Sequence, residues 1–320
     1  MADRLPKSAY GRWRYALKPD SWPKLFVPAT FGQALGAAHL GRVDVVDYAA
    51  GMALTFLLLA FIVLMNDWGD REVDAIKRRR FPHGCSPKTI PDGILPAGNV
   101  FLGGLLAGAG ALAFAWVGEG WLGRPLLFEA TAGCLGVFVA YTLPPLKLNY
   151  RGGGELLEML GVGLLLPWLH AYLQGGLGVE SLTWLPRPAA VLPGMAALAF
   201  ASAVASGLSD EVSDRLGGKR TFTTLLGNPA ARRLAELSLA VGALAWLLAG
   251  LFAEHVPLVA AAVAGAVVLF HLRRVVRQST SAVTNAFEAQ KVYKQHLHAA
   301  VWQGARTLAV LLLLIRLFFR

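Results

Sequence analysis

Two acidic clusters hold the chemistry this chain could do. The first is Asn66, Asp67, Asp70 and Asp74, spaced N-D-x-x-D-x-x-x-D, and the second is Asp210 and Asp214, spaced D-x-x-x-D. On a helix of about 3.6 residues per turn, Asn66, Asp70 and Asp74 share one face, and so do Asp210 and Asp214. Like charges stacked at this spacing repel by roughly a few tenths of a kcal/mol per pair. A shared cation offsets that cost. Carboxylates are hard oxygen ligands that suit Mg²⁺, which commonly bridges them to phosphate oxygens. Basic residues follow each cluster: Arg71 and Lys77 after the first, Arg215, Lys219 and Arg220 after the second. Arginine grips phosphate oxygens bidentately and lysine acts as a point charge. Acids for metal beside bases for phosphate make the donor set of a Mg²⁺–diphosphate site.

A third segment runs Tyr141-Thr142-Leu143-Pro144-Pro145-Leu146-Lys147-Leu148-Asn149-Tyr150-Arg151-Gly152-Gly153-Gly154-Glu155. The Pro-Pro pair breaks a helix. The glycine run lets backbone approach a ligand closely. Lys147 and Arg151 are its cations.

These groups need elements to position them. The clusters end the apolar runs 52–65 and 191–205. The 320-residue chain is 55% hydrophobic and 16% charged, where a soluble domain carries roughly 25% charge. The mean hydropathy of +0.51 agrees. The chain is all-α and polytopic, with about nine transmembrane helices at about 23–41, 48–66, 99–117, 126–143, 155–174, 189–207, 231–252, 255–272 and 303–319. Strand alternation is absent, and backbone groups in lipid must be satisfied within the segment. We expect one membrane-embedded domain over residues 1–320, with a short basic N-terminus over about 1–22.

The net charge of +10 could point to nucleic acid. Lys and Arg instead gather in alternate loops, the positive-inside pattern, so we expect no nucleic-acid partner. The N-terminus is expected in the cytoplasm and the C-terminus outside, with both acidic clusters and the Tyr141–Glu155 segment facing the cytoplasm. Two long loops, about 67–98 and 273–302, are expected on that side. Turn signals mark His83-Gly84-Cys85-Ser86-Pro87. Cys85 in a loop and Cys134 in mid-span should not pair.

The chain resembles the UbiA superfamily of intramembrane aromatic prenyltransferases. The matching residues are Asn66-Asp67-x-x-Asp70-x-x-x-Asp74, Asp210-x-x-x-Asp214 and the Tyr141 to Lys147 loop. Within it, Leu17-Lys18-Pro19-x-Ser21-Trp22-Pro23, Lys88-Thr89-x-x-Asp92-Gly93, the Pro144 to Glu155 stretch and Asp210 to Thr221 are most similar to the 1,4-dihydroxy-2-naphthoate, or menaquinone, branch. Two features depart from the family pattern. Ser206 stands one turn before the second acidic pair, where the family often has another polar or acidic residue. Tyr141 and Lys147 are wider apart than the family's Tyr-x-x-x-Lys.

The resemblance implies that Mg²⁺ at Asn66, Asp67, Asp70, Asp74, Asp210 and Asp214 holds a polyprenyl diphosphate. Ionisation gives an allylic cation and pyrophosphate, and an electron-rich ring attacks C1. Asp70, Asp74, Asp210, Asp214, Tyr141 and Lys147 are then the catalytic candidates. Asn66, Asp67, Arg71, Lys77, Arg151, Arg215 and Lys219 are the candidates for binding the diphosphate or an aromatic acid acceptor, with the prenyl tail open to membrane lipid. The implied location is a bacterial inner membrane. Other acceptors remain open, namely 4-hydroxybenzoate, homogentisate or a polar lipid. A secondary transporter is the alternative from another class, since intramembrane acids and repeats occur there too. Transporters place their acids near mid-membrane, whereas these lie at span ends. A non-catalytic scaffold would need neither cluster.

Overall fold

The computed structural model of the protein describes residues 6–82, 86–176 and 187–318. Cys85 and the expected turn at residues 83–85 lie outside the described residues. The described elements are helical: α1 Ala9–Leu17, α2 Pro23–Leu40, α3 Val45–Gly69, α4 Arg71–Arg80, α5 Ala97–Leu122, α6 Leu127–Thr142 and α7 Gly154–Leu160. A π-helical turn at Gly161–Leu165 joins α7 to α8 Leu166–Gly175. Then come α9 Leu192–Gly207, α10 Glu211–Leu216, α11 Phe222–Leu226, α12 Asn228–Phe252, α13 Leu258–Ser279 and α14 Phe287–Phe318.

Among the described residues, 7 helical segments are long and apolar enough to cross a membrane, and the chain is an integral membrane protein. The remaining two expected spans are also helices. One is α6, apolar but only 16 residues long. The other is α2, which carries Lys24, Gln33 and His39 and buries most of its length inside the bundle. A helix wrapped by protein can carry polar residues that lipid would penalise.

Two apolar cores meet at α2. One is built from α2, α9, α12, α13 and α14 and includes Trp246, whose Nε1 donates to Val191 O at 2.9 Å. The other joins α3, α5, α6 and α8. Close approach makes the shared helix possible. A Cβ at Gly32 of α2 would lie 2.1 Å from Pro167 O, the small-residue packing that membrane helices favour.

The expected loop over 273–302 is mostly helix: α13 runs to Ser279 and α14 starts at Phe287. Residues 287–302 are amphipathic, burying Gln290, Tyr293, Leu297 and Val301. That helical spacing is hidden from a hydropathy window by the lysines and histidines between. The expected loop over 67–98 likewise contains α4.

Candidate active site

The same backbone device occurs at both acidic clusters. α3 stops at Gly69, Asp70 breaks the helix with φ −96° and ψ 5°, and α4 follows. α9 stops at Gly207, Asp210 has φ −109° and ψ −7°, and α10 follows. In each, the second aspartate keeps a helical bond to the first: Asp74 N donates to Asp70 O and Asp214 N to Asp210 O, both at 2.8 Å. Asp74 and Asp214 thereby sit in the first turns of short helices, where a negative charge is favoured by the helix dipole. α4 and α10 pack together because Gly217 has no side chain; a Cβ there would lie 2.4 Å from Val73 Cγ2.

Asn66, Asp70, Asp74, Asp210 and Asp214 line one cavity of about 340 Å³. Its other end is apolar, walled by Leu58, Leu59, Ile62, Val63, Leu135 and Phe138. Tyr141 also lines it, its ring stacked 5.4 Å from that of Phe138.

Lysines stand between the carboxylates. Lys219 Nζ is 2.9 Å from Asp70 Oδ2, Lys88 Nζ is 2.5 Å from Asp74 Oδ1, and Lys77 Nζ contacts Asp210 Oδ1. Burial works against the Lys88 charge, yet Asp74 and Asp210 outweigh it and hold its pKa above the usual value. Burial opposes Lys219 in the same way, and Asp70 and Asp214 again win. Desolvation also works against the Asp210 carboxylate, but Lys77 and Lys88 hold it below its ordinary range. Asp214 goes the other way. Burial pushes its carboxyl up to about 8, Lys219 opposing and the Asp210 and Asp70 charges adding.

The Tyr141–Glu155 segment delivers Asn149, which the sequence reading did not select as a site residue. Asn149 is buried, lines the cavity and donates from Nδ2 to Asp70 Oδ1 at 3.4 Å. Its Oδ1 is buried and has no hydrogen-bond partner among the described residues. Two contacts dock this segment on the second cluster's loop: Arg220 N donates to Tyr150 O at 3.2 Å, and Phe222 N to Glu155 Oε1 at 2.8 Å. A cis peptide joins Pro144 to Pro145. Lys88 arrives differently. Asp92 Oδ2 accepts from Lys88 N at 2.9 Å, Arg78 Nη2 at 2.7 Å and Tyr15 OH at 2.6 Å. The Lys88-Thr89-x-x-Asp92 stretch was visible in the sequence, but its pairing with Asp74 depends on tertiary structure.

Several expected site residues fall outside the cavity lining. Asp67 is buried against Lys18 and Thr89 Oγ1 and so ties the α1–α2 junction and the Thr89 loop to α3. In an unbroken helix Asp67 would share a face with Asp70 and Asp74. But α3 ends at Gly69 and the break at Asp70 interrupts that pattern, while Lys18 and Thr89 hold Asp67. Arg71 lies over the Trp68 ring and donates to Trp68 O at 2.8 Å. Lys147 Nζ sits 3.7 Å from the centroid of Tyr150. Arg151 is exposed, and Arg215 is exposed beside Glu211. Lys77 is buried and reaches the site only through Asp210.

Helical membrane architecture and paired acidic junctions around one cavity define a class, the intramembrane bundles with an acid-lined pocket. Residues 25–295 match the UbiA prenyltransferase family, and the chain belongs to that family. It is 31% identical over 174 residues to the chloroplastic chlorophyll synthase of Oryza sativa subsp. japonica, a match covering 49% of this chain and 42% of that protein. It is 26% identical over 177 residues to the 2-carboxy-1,4-naphthoquinone phytyltransferase of Synechocystis, covering 54% and 52%. The matches therefore span about half the length of these curated relatives or less. The fold is similar to that of a UbiA homolog from Archaeoglobus fulgidus bound to DMAPP and Mg²⁺, with TM-score 0.67, 17% identity, and coverage of 91% of this chain and 99% of that one.

Proposed function

We propose that this chain is a Mg²⁺-dependent intramembrane prenyltransferase that moves a polyprenyl group from polyprenyl diphosphate to an aromatic acceptor, 1,4-dihydroxy-2-naphthoate. The observation that carries this reading is one cavity with carboxylates and lysines at one end and an apolar limb at the other. The two ends match the two ends of a prenyl diphosphate.

The donor set fits Mg²⁺. Hard oxygens from Asn66, Asp70, Asp74, Asp210 and Asp214 line the cavity, and Asn149 Oδ1 is a buried acceptor without a partner among the described residues. Among the described residues no group of three or more acids, histidines or cysteines forms a ready metal site. Mg²⁺ is commonly held by only one or two carboxylates together with substrate phosphates and water. These residues would hold the ion, and its chemistry is to neutralise charge growing on the leaving diphosphate. Lys219 and Lys88, released from their carboxylates, take diphosphate oxygens, while Lys77 holds Asp210 from behind. The Tyr141 ring flanks the reacting carbon, where an aromatic face favours positive charge. The apolar wall shields that carbon from water.

The acceptor assignment rests on the menaquinone-like stretches and the naphthoquinone phytyltransferase relative. Similarity to chlorophyll synthase favours a second reading, with a chlorophyll precursor as acceptor. The positive-inside pattern supports a reading in which the acidic end faces the cytoplasm.

Purified protein supplied with a polyprenyl diphosphate and 1,4-dihydroxy-2-naphthoate should release pyrophosphate and form a prenylated naphthol only when Mg²⁺ is present. No Mg²⁺-dependent release with any acceptor overturns the reading. Preference for 4-hydroxybenzoate or a chlorophyll precursor overturns only the acceptor.

A further inference from the structure

Four lysines line the cavity, and three of them follow one rule. Lys18, Lys88 and Lys219 each contact a carboxylate of the Asn66–Asp74 segment. Lys24 does not. It projects from the first turn of α2, donates from Nζ to Ser206 Oγ at 2.8 Å, and stands 3.6 Å from Glu158 Oε1. Ser206 in turn donates to Ser202 O at 2.9 Å, which fixes its hydroxyl on α9. Lys24, Glu158 and Ser206 come from α2, α7 and α9, and all three line the cavity. Lys24 and Glu158 both retain partial exposure there, at 28% and 23%. They form a polar wall distinct from the acidic clusters.

The composition of this wall selects its ligand. A diphosphate carries several negative charges and few protons, so Glu158 repels it. An aromatic acid with a hydroxyl next to its carboxylate offers an anionic oxygen to the ammonium and an O–H to the glutamate. Ser206 matters for the same reason. A carboxylate at its position would set a second anion against Lys24. A hydroxyl leaves Glu158 as the one carboxylate paired with that ammonium among the described residues, so a ligand carboxylate can still approach it.

We propose that Lys24, with Glu158 and Ser206, is the recognition site for the acceptor, which is an aromatic acid bearing a hydroxyl adjacent to its carboxylate. The assignment rests on the prenyl-transfer reading above. It names the wall that selects the ring and orients it toward the prenyl carbon.

The test is equilibrium binding to the full chain in detergent, read by tryptophan fluorescence, with 1-hydroxy-2-naphthoate as probe. Two comparison ligands are 1-naphthol, which lacks the carboxylate, and 2-naphthoate, which lacks the hydroxyl. Wild type should bind the probe at least roughly tenfold more tightly than 1-naphthol. Lys24→Met should bind the two alike, and Lys24→Arg should recover part of the preference. Glu158→Gln should lose most of the preference for the probe over 2-naphthoate. Binding of geranyl diphosphate with Mg²⁺ should stay within about twofold in every variant, which also reports that each is folded.

The assignment is overturned if wild type does not distinguish the probe from 1-naphthol. It is also overturned if Lys24→Met keeps the preference, or if Lys24→Met and Lys24→Arg both lose geranyl diphosphate binding. Turnover is scored separately. A chain that binds the probe as expected yet transfers no prenyl group counts against the proposed function, not against this site.

Discussion

At Asp70 and again at Asp210, a membrane span stops and a short polar helix begins, with nearly the same backbone angles. The counter-charges differ. Asp70 receives three nitrogen donors, from Asn66 at 3.2 Å, Asn149 at 3.4 Å and Lys219 at 2.9 Å. Asp210 is gripped by Lys77, which α4 of the other junction supplies. The aspartates one turn later diverge too. Burial raises the proton affinity of both, but Asp74 has its own lysine, Lys88, in contact, whereas Asp214 goes up to about 8 with the Asp210 and Asp70 charges adding to burial. Similar backbones can thus carry unlike electrostatics, because each counter-charge arrives from elsewhere in the chain.

The largest expected effect treats the junctions as equals. Asp70→Asn and Asp210→Asn should each lower turnover by roughly 10²-fold or more, the loss of about 2.7 kcal/mol of electrostatic stabilisation. A folded, membrane-inserted variant of either that keeps a near-normal rate would break the equivalence. Next, Lys77→Met leaves Asp210 without its main counter-charge. The metal-free protein should lose about 1 kcal/mol or more of stability, the buried-pair cost discounted because the Asp210 side chain is 32% exposed. Thermal unfolding would register it, and an unchanged midpoint would mean that Asp210 is well solvated.

The contrast between Asp210 and Asp214 predicts opposite responses to pH. Asp214 titrates at about 8 in the native state, against about 3.9 for an ordinary aspartate. The native chain therefore holds a proton that the unfolded chain has released, so this contribution to stability falls as pH rises from about 4 to about 8. Asp210 has a depressed value, so its contribution is present above the ordinary carboxylate value and fades as pH falls through its native one. Unfolding midpoints of the metal-free protein across this range should lose much of their decline in Asp214→Asn. An unaltered decline would place its cause elsewhere.

Smaller effects sharpen the picture. Asn149→Leu removes a donor to Asp70 and an unpaired oxygen, and should lower kcat/KM for the prenyl diphosphate about tenfold. Arg71→Ala and Arg215→Ala should change it by less than about threefold, since neither side chain lines the cavity and exposed pairs are weak. A larger loss at Arg215 would bring the exposed rim into the binding site.

The sequence exposed the aspartates because their spacing is local, and the spans because hydropathy is a property of short windows. Both features needed only neighbouring residues. Lys88 and Asn149 were less legible as site residues. They reach Asp74 and Asp70 across gaps of 14 and 79 residues, through loops whose anchors, Asp92 and Glu155, hydrogen-bond residues distant in the chain. Asp67 was misleading for the converse reason. It belongs to the motif as a string, but the helix breaks at Asp70 and Asp67 is held by Thr89 and Lys18, which only the tertiary structure brings to it. The N-terminal part of α14 was concealed because its polar face hid a buried one.

The lysines seated on the carboxylates make the metal-free cavity an ion exchanger loaded with its own counter-ions. Lys88 and Lys219 neutralise Asp74 and Asp70 while the site waits. A divalent ion arriving alone would have to strand buried ammonium groups, a costly exchange. When a diphosphate comes with it, the displaced lysines gain phosphate oxygens and charge stays balanced. Each of the two ligands should then raise the affinity for the other by the same factor. On the proposed function, such a cavity should bind the pair cooperatively and show little affinity for either half alone.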